Sequence, residues 1–103
     1  MLDLTEVPPG WHDLVRNMRA DLPPCVEVRH VKSKFAKLAV VLSGPTPDAV
    51  ADGYHIAAKW TDASMRTCEE CGAAGWLREG GWIRTLCDAC EKVTRAARRA
   101  SDG

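Results

Sequence analysis

Four of the five cysteines fall in two Cys-x₂-Cys pairs, Cys68/Cys71 and Cys87/Cys90, with fifteen residues between the pairs. A Cys-x₂-Cys turn can aim two sulfurs at one metal ion, and the intervening loop can bring a second pair round to complete a tetrahedron. Gly72 directly after Cys71 suits the point where the backbone must turn back under the metal, a position that favours positive φ. Zinc is the expected ion, in a structural role. An iron–sulfur centre could use the same thiolates, but nothing else in the chain suggests a redox partner. A thioredoxin-like reaction needs one exposed, activated pair on an α/β frame, whereas two matched pairs are present. Cys25 is the odd thiol, expected to be a small buried or half-buried residue.

Four thiolates fill a zinc coordination shell and leave no open position for water or substrate. The three histidines, His12, His30 and His55, are isolated near different elements, with no serine elbow, phosphate loop or H-E-x₂-H pattern. His30 shares strand parity with Val26 and Val28, so a half-buried place is expected for it. A non-enzymatic binding protein is the expectation.

The segment around the ligands has an order of its own. "GWLREGGWIRTL" reads as a β-hairpin turning about Gly80-Gly81, with Trp76, Trp82 and Ile83 as packing residues. "CDACEKVTRAARRA" passes from Cys87 directly into a helical pattern. Knuckle, hairpin and a helix whose first turn carries two ligands is the order of a treble-clef zinc finger; a zinc ribbon would take its second pair from another knuckle.

Upstream, "WHDLVRNMRADL" places Trp11, Leu14, Val15, Met18 and Leu22 at spacings of three and four, an amphipathic helix ended by Pro23-Pro24. Residues 25–44 read as two antiparallel strands, with a turn, bulge or hairpin between Val31 and Phe35. Thr46-Pro47-Asp48 is a helix start: a hydroxyl cap, a first-turn proline and a carboxylate at the positive end. This second helix runs to about Ser64. The expected fold is α+β: a helix–strand–strand–helix body over residues 1–66, with both helices on one sheet face. A four-cysteine zinc unit over 67–100 packs on it, since no linker intervenes.

Charge limits the partners. Fourteen basic residues balance fourteen acidic ones. Four thiolates contribute −4 and the metal +2, which puts the zinc form near −2, so any attraction for nucleic acid must be local. One basic cluster joins Arg84 to Lys92, Arg95, Arg98 and Arg99, with Trp76 and Trp82 available for stacking. Another, Arg29, Lys32, Lys34 and Lys37, lies in the strand region. Acids Glu69, Glu70, Glu79, Asp88 and Glu91 surround the cysteine unit and would repel phosphates. No stretch approaches the roughly eighteen apolar residues of a membrane span. The N-terminus lacks the basic start and apolar run of a signal peptide, so a cytoplasmic location is expected. Reduced thiols there fit zinc better than disulfides.

Gly10-Trp11, the strand stretch Lys32, Lys34, Phe35 and Leu38, and the signature T-C-x-x-C-G with G-W-x-x-T-L-C over Thr67–Gly72 and Gly81–Cys87 together resemble a family of small uncharacterised proteins of bacteria and their phages. The resemblance covers about residues 10–90 and is most specific in the cysteine unit. Ala36-Lys37 stands where a Gly-Gly or similarly tight pair is expected, and Cys90 where many relatives have histidine, an equally good zinc ligand. The resemblance implies a phage or mobile-element setting without naming an activity. A protein partner is therefore the first expectation, including a role as inhibitor of a host system, and nucleic acid held by the basic last helix is the alternative.

Overall fold

The computed structural model describes residues 2–79 and 83–102, with side chains described through residue 97. A single 3₁₀ turn, Pro9–Trp11, feeds helix α1 (His12–Asp21); strands β1 (Glu27–Lys34) and β2 (Lys37–Ser43) follow, then helix α2 (Pro47–Ser64). A second, separate hairpin is made of β3 (Trp76–Arg78) and β4 (Arg84–Leu86), and helix α3 (Asp88–Asp102) closes the chain. The result is a small α+β protein with two two-stranded antiparallel sheets. No helix among the described residues is long and apolar enough to cross a membrane.

The periodic apolar residues of α1 make the core. Trp11, Val15 and Met18 are fully enclosed, and Leu14 and Leu22 nearly so. They meet Val26, Val31, Leu38 and Leu42 from the ribbon and Ala57 from α2. Thr46 Oγ1 caps α2 by accepting from the Ala49 N–H at 3.1 Å, with Pro47 at the first turn.

A two-stranded ribbon leaves edges that need covering. α2 covers the outer edge of β2 with side chains instead of a third strand. Ser64 Oγ accepts from the Leu38 N–H at 3.0 Å, Thr61 Oγ1 donates to the Leu38 carbonyl at 3.0 Å, and the Tyr54 hydroxyl accepts from the Leu42 N–H at 3.0 Å. Such close approach needs a thin helix face. Gly53, Ala57 and Ser64 are the buried residues of α2, and a Cβ on Gly53 would lie 2.9 Å from a Val26 methyl. The glycine, at about 1 kcal/mol less helix propensity than alanine, is explained by that contact.

The turn expected between Val31 and Phe35 falls at the end of that window, and the slip in register lies upstream of it. A bulge at Arg29 breaks the register between Val28/Leu42 and His30/Val41. The extra residue lets Val28 and Val31 both face the core and moves His30 outward, where it is exposed and 2.8 Å from Glu6. The half-buried place expected for His30 is thus corrected. The turn itself is Phe35-Ala36, both at positive φ (53° and 61°), as a type I′ hairpin requires. Cys25 is also corrected: in the turn between α1 and β1 it faces solvent, while its neighbour Val26 takes the buried position.

Positive φ at a non-glycine residue costs about 1–2 kcal/mol. Replacing Phe35-Ala36 by Asn-Gly is therefore expected to raise the unfolding free energy by roughly 1–2 kcal/mol. Thermal melting followed by circular dichroism checks this, and a lower melting temperature would show that the turn is not strained.

Candidate metal centre

The first cysteine pair sits on a tight turn. Cys68 N donates to the Ala73 carbonyl at 2.7 Å, and Gly72 N returns to the Cys68 carbonyl at 3.0 Å. Gly72 has φ of 82°, the positive value anticipated from its position. The second pair lies at the start of α3. Cys87 precedes it, its carbonyl accepts from Glu91 N at 3.0 Å, and Cys90 occupies the first turn. Glu69 joins the two halves: its N–H donates to the Thr85 carbonyl at 2.8 Å, and its carboxylate accepts from the Thr85 N–H at 2.5 Å.

These elements bring the four sulfurs within 4.8 Å of one another, and the Cys71 and Cys87 sulfurs are 3.7 Å apart. Zinc with bonds of about 2.3 Å in a tetrahedron has sulfur–sulfur edges of about 3.8 Å. A disulfide needs about 2.05 Å, and all five cysteines are free thiols. The spacing is that of a structural Cys₄ zinc site.

Backbone N–H groups aim at the sulfurs. Although burial opposes ionisation of Cys68, N–H groups of Cys87, Cys71 and Glu70 donate to its sulfur and lower its thiol to about 6. The Ala73 N–H favours the Cys71 thiolate, but hydrogen bonds with the Cys68 and Cys87 side chains push that thiol up overall. Cys90 is pushed up furthest, first by the Cys87 side chain and then by Cys68. Ionisation of Cys68 thus opposes ionisation of Cys71 and Cys90. A divalent cation at their centre removes that opposition, and the donor set fits zinc.

The body closes over this centre. Gly10 N donates to the Glu69 carbonyl at 2.7 Å, and the Trp11 indole donates to the Thr67 carbonyl at 2.9 Å. Glu69 itself is 95% buried by its exposure of 5%, and burial pushes its carboxyl up. Sequence reasoning placed Glu69 among the surface acids. Nothing in Cys-Glu-Glu-Cys distinguishes it from Glu70, which faces out to pair with Arg84.

The remaining candidate residues surround the centre without converging. Arg84 pairs with Glu70, Arg95 with Glu91 at 2.8 Å, and the nearby Arg78 with Asp88 at 2.8 Å. Lys92 is exposed. The Arg98 and Arg99 side chains, Trp82, and the Gly80-Gly81 turn lie outside what the structure describes. Trp76 and Ile83, expected as packing residues, are instead 50% and 49% exposed. The hairpin has only three-residue strands, and the Arg78 guanidinium sits 5.0 Å from the Trp76 ring centroid. Of the histidines, His12 is held by the Val7 carbonyl at 3.0 Å and His30 by Glu6, and neither joins the cysteine cluster. No family model, curated protein or solved structure matches the chain.

Proposed function

We propose that this is a non-enzymatic binding protein whose C-terminal unit is a treble-clef-like finger, organised by zinc so that a protein partner can dock on it. One observation carries the reading. Around a closed four-thiolate site, Trp76, Leu77, Ile83 and Val93 stand between 49% and 71% exposed, while the neighbouring Arg78, Arg84 and Arg95 are each paired with a carboxylate. Apolar surface with its charges internally matched suits a protein partner better than a phosphate backbone. The resemblance around the cysteines supports a phage or mobile-element setting, in which so small a binder would serve to inhibit a host system, and reduced thiols suit a cytoplasmic location.

The zinc-loaded protein, used as bait in nuclease-treated bacterial lysate, is expected to retain one stoichiometric partner. Trp76→Ala with Leu77→Ala is expected to lose it while keeping the zinc. Equal retention by the double variant, or no partner at all, would overturn the reading.

A further inference from the structure

We propose that the β1–β2 ribbon is a second binding surface, for single-stranded nucleic acid, with Lys32, Lys34 and Lys37 on phosphates and the Phe35 ring stacked on a base. The register places Lys32 opposite Ala39 and Lys34 opposite Lys37, while Val31, Leu38 and Val40 turn to the core. The outward face therefore carries the lysines. Among the described residues, none of the three takes part in a salt bridge, whereas Arg66, Arg78, Arg84 and Arg95 all do. No acid occurs anywhere from Val31 to Ser43. Glu27, at the far end of β1, is engaged by Arg29, and Glu6, whose carbonyl accepts from the Ser33 N–H, has its carboxylate on His30. Among the described residues, Arg19 and Lys92 also lack a salt bridge but stand singly, whereas three such cations cluster here, away from the paired arginines of the metal unit.

Three features of the tip oppose stability, and all three suit a ligand. Lys34 and Lys37 are direct cross-strand neighbours, an arrangement of like charges that destabilises a ribbon. Phe35 and Ala36 hold positive φ without glycine. Phe35 projects with 78% of its surface in water, the most exposed of the large apolar residues among those described. Strained backbone is concentrated where the strained conformation is used, and here it presents an aromatic ring between two lysines. A polyanion would relieve the lysine pair, and an unstacked base would cover the ring. Lysine is depleted from protein interfaces but serves well as a point charge for phosphate. That favours nucleic acid over an acidic protein, and a stacking ring at a tip favours unpaired bases over a duplex.

The test is fluorescence anisotropy of a labelled mixed-sequence single-stranded oligonucleotide with the full-length, zinc-loaded protein over a series of salt concentrations. The expected slope of log K against log salt is about −2, from about −0.7 per phosphate contact for three lysines. Lys32→Ala, Lys34→Ala and Lys37→Ala together should flatten that slope and abolish measurable binding. Phe35→Ala should weaken binding about 5- to 150-fold at unchanged slope, the range of one stacked base. Arg95→Ala should bind as the parent does. Melting curves of the tip variants, expected at or above the parent's, separate lost contact from lost fold. Absence of binding at low salt, or undiminished binding by the triple variant, overturns the proposal. So does displacement of the oligonucleotide by polyglutamate with no effect of Phe35→Ala, which would assign the surface to an acidic protein.

Discussion

Chelation of the metal is expected to unfold residues 67–97 while leaving a destabilised helical body. A structural zinc in a peptide finger contributes roughly 10–16 kcal/mol, as large as the roughly 5–15 kcal/mol that stabilises a whole domain. The hairpin has three-residue strands with exposed Trp76, Leu77 and Ile83, so little apolar burial replaces that contribution. The body is different. Its core, from Val7 through Ala57, contains no residue of the metal unit, so α1, α2 and the ribbon are expected to persist, with a lower melting temperature because Gly10 and Trp11 lose their partners on the knuckle. Far-ultraviolet circular dichroism during chelation should show a partial, zinc-reversible loss of helix and strand signal. Single substitutions sharpen the expectation. Cys68 is fully buried, whereas Cys71 is exposed. Cys68→Ser should therefore lower zinc affinity more than Cys71→Ser, measured by competition against a chromogenic chelator. An unchanged spectrum and melting curve after complete chelation would remove zinc from the folding account altogether.

What could be read beforehand follows from how local each determinant is. The four ligands were legible because metal geometry demands two sulfurs per turn and only cysteine supplies them. Thr46-Pro47-Asp48 was legible because a cap is a property of adjacent residues, and the helix begins there. Arg29 was not, since nothing in its own chemistry marks a bulge; the bulge exists because Val28 and Val31 must both reach a core built from other elements. Phe35-Ala36 left the type and exact position of the turn open for a similar reason. Type I′ geometry is ordinarily announced by Asn-Gly, and here the strain is tolerated by a register held along the strands and by Ser64 and Tyr54 from α2. Glu69 was misplaced because its burial depends on Thr85, sixteen residues away. The basic clusters show the same limit: composition gave their positions, but only the fold separates arginines matched by carboxylates from lysines that are not.

Gly10→Ala is expected to be the most damaging substitution outside the ligands, although glycine at the start of a helical segment is usually replaceable. A Cβ there would lie 2.1 Å from the Cys68 carbonyl oxygen, 2.7 Å from the Glu69 carbonyl carbon and 2.7 Å from Gly72 N. All three are backbone atoms of the turn that carries two ligands, so no side chain can move aside. The methyl must push the Pro9–Trp11 segment off the knuckle, and two hydrogen bonds go with it: Gly10 N to Glu69, and the indole of the fully buried Trp11 to Thr67. An unpaired buried donor costs about 1–3 kcal/mol, and steric displacement of a packed core residue adds to it, for a combined loss of about 4 kcal/mol or more. Because zinc binding and folding of the knuckle share one free energy, part of that loss should appear as weaker metal affinity, about tenfold for each 1.4 kcal/mol. Pro9→Ala is the control, since Pro9 is exposed beside the same contact and is expected to change neither property much. Melting and chelator competition on the two variants decide the matter. If Gly10→Ala lowers the melting temperature but leaves zinc affinity at the parent value, the body depends on the knuckle and the knuckle does not depend on the body. If both fall together, the metal unit and the helical body fold as one.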